Sequence, residues 1–115
     1  RAVPAELNGY PGPAHVLELA EPLMLTPAQR ARTQALYEQM QREARLAGEA
    51  VIEAETALDA LFKGRTVTPE SLKRATEAAS AAQGRLRETH LRYHLQMVEL
   101  LTPQQVATYN QSRGY

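Results

Sequence analysis

The stretch "THLRYHLQM", Thr89–Met97, holds two of the chain's 3 histidines and one of its 3 methionines. His90 and His94 are four positions apart, so on a helix they stand one above the other on a single face. At about 100° per residue, Met97 falls within about 20° of His90 and about 60° from His94. Two imidazoles and a thioether then share one stripe. Imidazole suits Zn, Ni, Co and Cu, and a thioether adds softness. The remaining histidine, His15, lies far earlier in the chain, with Glu18 one helical turn after it. The expected donor set for a divalent transition metal is therefore His15, His90 and His94, with Met97 or Glu43 as a further partner. Ordinary packing explains the same residues differently. An i,i+4 histidine pair is common on helices, and Met97 sits where a core alone would want it.

No other constellation in the sequence carries chemistry. There is no Gly-rich phosphate loop, no His-Glu-x-x-His helix and no nucleophile in a strained turn, so no enzymatic activity is expected. Cysteine is absent, which excludes disulfides and thiolate metal sites. The 13 basic and 13 acidic residues cancel, so no net field attracts nucleic acid or an anionic membrane. No apolar run approaches the roughly 20 residues needed to span a bilayer. The chain opens at Arg1 without an initiator Met, as expected of a mature or trimmed product whose signal or anchor is missing here.

The elements that must position the histidines are announced by a repeated phrase. "LTPAQ" at Leu25–Gln29 returns as "LTPQQ" at Leu101–Gln105, with a looser "VTPES" at Val67–Ser71 between them. Thr before a helix caps a first-turn N–H, Pro fits the first helical position, and a Gln three residues after the Thr completes a capping box. The spacing predicts three helices, over Pro27 to about Lys63, Pro69 to about Leu101, and Pro103 to about Gln111. A further short helix is expected within His15–Met24, interrupted by Pro22.

In the first long helix the apolar stripe is Leu36, Met40, Glu43 or Ala44, Ala47, Val51, Ala54, Leu58 and Leu61. In the second it is Leu72, Ala75, Ala79, Ala82, Leu86, Thr89, Tyr93, Met97 and Leu100. A short turn at "KGRTVT", with Gly64 as the C-terminal cap, makes the two helices antiparallel. Pairing across that turn sets His90 opposite Gln41 and His94 opposite Tyr37, with Glu43 facing the inner stripe. The resulting expectation is an all-α domain over residues 15–115, a long antiparallel helical hairpin with short N- and C-terminal helices. Residues 1–14, with three Pro and two Gly, read as an irregular arm. Leu91, Leu95 and Val98 give the second long helix another apolar side, for which a homodimer is the expected cover.

The paired Leu-Thr-Pro-x-Gln boxes flanking a long hairpin resemble the LTxxQ family of bacterial envelope stress proteins, the Spy, CpxP, ZraP and CnrX group. The resemblance covers Leu25–Tyr115. It implies a periplasmic, exported, hook-shaped helical dimer, and one of two roles. The sensor and zinc-binding branches use His, Glu and Met near the base of the hairpin, where His15, His90, His94 and Met97 fall, and report to a membrane-bound regulator. The chaperone branch cradles unfolded clients without ATP, on a surface that is often basic. This sequence departs from the sensor pattern in offering a single His in the N-terminal helix, and in having Tyr93 four residues before Met97.

Overall fold

The computed structural model describes residues 3–115. Among them the regular structure is entirely helical: α1 (Val3–Leu7), α2 (Pro13–Glu18), α3 (Pro27–Lys63), α4 (Pro69–Leu100) and α5 (Pro103–Ser112). The long helices α3 and α4 pack as a hairpin. No helix among the described residues is long and apolar enough to cross a membrane.

All three Thr-Pro segments open helices as expected. At α5, Thr102 Oγ1 accepts from Gln105 N and the Gln105 side chain returns a bond to Thr102 N. At α3 the same pair of bonds joins Thr26 and Gln29, at 3.0 Å each. At α4, Ser71 takes the place of Gln, its hydroxyl accepting from Thr68 N at 2.9 Å.

The arm expected to be irregular contains α1, a single helical turn; Arg1 and Ala2 of that arm lie outside the described residues. The turn closes at Gly9, φ 83°, with Tyr10 N donating back to Ala5 O at 2.9 Å. The turn after α3 also differs from expectation. The left-handed residue is Arg65, φ 55°, not Gly64, because Thr66 N reaches back to Leu61 O and sets the reversal one residue later. Met24, φ 54°, ends the turns after α2 in the same way, with Leu25 N bonded to Ala20 O.

The chain divides into two compact units. The first, here the histidine unit, holds residues 3–42 together with His90–Tyr115, and the second, the turn unit, is Glu43–Thr89. In the histidine unit Val16, Leu23, Leu36, Tyr93, Met97, Leu101 and Tyr109 form one buried cluster, with Leu19, Leu25, Met40, Leu100 and Val106 packed against it. In the turn unit the stripe read from the sequence faces inward: Ala79 and Ala82 are buried, while Val51, Ala54, Leu58 and Leu61 are half-buried. Leu72 departs from the stripe and is exposed.

Within the histidine unit the two Gln boxes meet. Gln29 Nε2 donates to Gln105 Oε1 at 2.8 Å and Gln105 Nε2 donates to Gln29 Oε1 at 2.9 Å. Each amide has a second donor, and these go to Leu100 O and Leu23 O. Every donor and acceptor of the two amides is thus used, one bond of each on its own helix start and the rest across the fold. The repeat is therefore more than punctuation. It ties the starts of α3 and α5 to each other.

Candidate functional site

The site is built where the N-terminal segment meets α4. After α1, the run Tyr10-Pro11-Gly12-Pro13 leads into α2, and Pro11, Gly12 and Pro13 are all buried. Proline fixes φ, so this run reaches the core at small entropic cost. It delivers the Tyr10 carbonyl to His94 Nδ1 at 2.6 Å. A carbonyl only accepts, so Nδ1 carries the proton, and in the neutral ring Nε2 keeps the lone pair. Gly12 lies against the other edge of the same ring. A Cβ there would stand 2.9 Å from His94 Cε1 and 3.1 Å from Nε2. Its φ of −93° is open to any residue, so glycine is needed here for room.

Glu6 of α1 sits behind His94 and is only 8 % exposed. A buried carboxylate needs partners. The Tyr109 hydroxyl lies 2.9 and 3.0 Å from its two oxygens, Arg113 Nη2 is 3.7 Å from Oε1, and His94 Nδ1 is 3.8 Å from Oε2. Burial, then the hydrogen bond and charge of Glu6, hold the Tyr109 phenol well above its ordinary value of 10.0. Tyr109 therefore remains a donor throughout the physiological range.

In front of His94 opens a cavity of about 160 Å³, lined by Glu6, Gly12, Pro13, Ala14, His15, Met40, His90 and His94. A neighbouring cleft of about 230 Å³ is lined by Val3, Glu6, Leu7, His15, Arg113 and Tyr115, so His15 borders both. His15 is held far less firmly than His94. Its Nδ1 faces Arg113 Nη1 at 3.3 Å and Glu18 Oε2 at 3.5 Å. A neutral ring nitrogen cannot accept from the guanidinium and donate to the carboxylate together.

Of the residues singled out from the sequence, His15, His90 and His94 come together on the one cavity. Met97 does not line it; it is fully buried in the hydrophobic cluster with Tyr93 and Tyr109. Glu43 is half-buried, belongs to the turn unit and is not among the lining residues. The carboxylate that does line the cavity is Glu6. Glu6, Gly12 and Tyr109 escaped sequence reasoning because the first two sit in the segment read as irregular, and Tyr109 read as packing alone. The one available signal was "YPGP" ending two positions before His15, a run too constrained for an irregular arm.

Three imidazoles fit a borderline divalent cation by donor chemistry, with the Glu6 carboxylate adding negative charge beside them. No three His, Asp or Glu side chains among the described residues converge into a ready-made cage. The side chain of His15 is 39 % exposed and rests on a six-residue helix. No family model matches the chain, and no curated protein or solved structure matches it.

Proposed function

We propose that this chain is a periplasmic, metal-responsive protein of the LTxxQ type that takes a divalent transition ion, Zn, Ni, Co or Cu, in the cavity bordered by His15, His90 and His94. The observation that carries this reading is the convergence of all 3 histidines of the chain on a single cavity. The two Leu-Thr-Pro-x-Gln boxes and the hairpin between them support the family assignment. His90 and His94 would supply donors from α4, and His15 would turn inward from its contacts with Arg113 and Glu18 to join them. The ion's chemistry there is that of a Lewis acid gathering neutral imidazoles. Glu6, already bonded to Tyr109, adds negative charge behind the site.

Sensing needs a contact that differs between two states. The movement of His15 is that contact, because it shifts α2 and the surface around Arg113. A homodimer and a membrane-bound regulator that reads this surface complete the proposal. Titration calorimetry of metal-stripped protein with each of the four ions tests it, beside a His15→Ala/His90→Ala variant. Both residues are half-buried, so the variant removes donors without opening the core. Micromolar or tighter binding that disappears in the variant is the expected result. Binding that is absent, or indifferent to the substitutions, would end the metal reading.

A second reading has its own support. Leu46, Ile52 and Phe62 of the turn unit are more than half exposed, as a surface for unfolded clients would require. An ATP-independent chaperone predicts suppression of client aggregation that neither chelator nor loss of the histidines changes.

A further inference from the structure

His94 is more firmly oriented than His15, and the groups that orient it come from the N-terminal segment. The Tyr10 carbonyl fixes the proton on Nδ1, and Glu6 lies 3.8 Å from the same nitrogen while holding the Tyr109 hydroxyl. Gly12 admits the Cε1–Nε2 edge of the ring, and both residues line the cavity. A carbonyl or carboxylate on the far nitrogen of an imidazole sets its tautomer and raises the basicity of the nitrogen that remains.

We infer that Glu6 and the Tyr10 carbonyl are positioning groups for a metal ion on His94 Nε2, and that docking of residues 3–12 is thereby coupled to metal binding. The inference rests on the metal reading given above. It adds that the N-terminal segment is a part of the metal centre which contributes no ligand atom. If docking of the segment raises the affinity of His94 for the ion, the ion must tighten docking by the same factor. The segment is built to respond. Its one short helical turn leaves Val3 and Leu7 59 % and 62 % exposed, so little apolar area holds that turn down. Its hold on the fold rests on the buried Pro11 together with the Glu6–Tyr109 and Tyr10–His94 hydrogen bonds, and the last of these ends on the proposed metal-binding ring.

The test uses the full chain and Zn2+ as the probe. Long-range 1H–15N imidazole spectra of the metal-free wild type read the His94 tautomer directly, and need no variant to fold. Zn2+ titrations of wild type, Glu6→Gln and Tyr109→Phe read the coupling, and hydrogen exchange reads docking of residues 3–12. The proton is expected on Nδ1, with Zn2+ perturbing Nε2. The Zn2+ affinity is expected to fall by about tenfold or more in Glu6→Gln. Amides of residues 3–12 are expected to exchange more slowly with Zn2+ bound, and this protection should be lost in Tyr109→Phe. A proton on Nε2, or Zn2+ affinity unchanged in both variants, overturns the inference while leaving the metal reading in place. A wild type that takes up no Zn2+ overturns both.

Discussion

In the histidine unit Val16, Tyr93, Met97 and Tyr109 are at most 1 % exposed, whereas in the turn unit the buried apolar side chains are Ala79 and Ala82. Both units contain stretches of the same two helices, with the same three-and-four spacing of apolar residues. The difference lies in what the spacing carries. Alanine lets two helices approach closely but removes little apolar area from water, at about 25 cal/mol per Å². The turn unit is held by good helix formers and a well-made turn. The histidine unit is held by large side chains and by the Gln29–Gln105 and Glu6–Tyr109 hydrogen bonds. The same period can thus build an alanine-lined helix pair or a core of large side chains, depending on side-chain volume.

Truncation should separate the two units most sharply. Met97→Ala opens a cavity in the cluster and is expected to cost about 2–5 kcal/mol, while Ile52→Ala, on an exposed face, should cost less than about 0.5 kcal/mol. Urea denaturation of the two variants measures both. Equal losses would mean that the turn unit buries Ile52 in solution, against a second copy or otherwise.

The three capping boxes come next. Gln105→Ala removes partners from Gln29, Leu23 O and Thr102 N at once, and about 1–3 kcal/mol is expected. Ser71→Ala removes only a local cap bond, for about 1 kcal/mol or less. A Gln105 variant no worse than the Ser71 variant would reduce the crossed amides to two separate caps.

Alkaline pH gives a third contrast, confined to the histidine unit. Tyr109 has its pKa raised in the fold, so it keeps its proton where the unfolded chain has lost it. Its contribution is fully present below the unfolded value of about 10 and is lost as pH rises beyond it. Wild-type stability should therefore fall more steeply above that pH than that of Tyr109→Phe, as read by melting temperature across an alkaline series.

The smallest effects should be alike in both units. Met24 and Arg65 hold left-handed backbone that costs a side chain but not glycine. Met24→Gly and Arg65→Gly are each expected to leave stability unchanged or raise it by about 0.5–1 kcal/mol, in the same denaturation assay. A loss larger than the roughly 1 kcal/mol that glycine costs through the unfolded chain would show that the side chain, 80 % exposed in Met24, makes a contact outside this chain.

The helices were legible in the sequence because their signals are local. A Thr-Pro start, a period of three to four and an absence of Pro between Pro27 and Lys63 act within one or two turns of chain. The inward stripe followed for the same reason. The site was legible only in part. His90 and His94 are four residues apart on one helix, so their shared face follows from helical pitch alone. Glu6 and Gly12 reach His94 from the far end of the sequence, and nothing in their own neighbourhood announces it. Met97 shows the opposite case, a donor by residue type that the fold spends on packing.

By itself, then, the sequence determined where each helix begins, which face turns inward and which two histidines stand together, because hydrogen-bond caps and helical periodicity are short-range effects. Only the tertiary structure decided that Gln29 and Gln105 bond each other, that Glu6 bonds Tyr109 beside the histidine cavity, and that the Tyr10 carbonyl fixes the His94 proton. Those contacts join residues 76 to 103 positions apart. They exist because burying Val16, Tyr93, Met97 and Tyr109 in one cluster draws the polar groups around it into reach of one another, and a buried polar group costs free energy unless it is hydrogen-bonded.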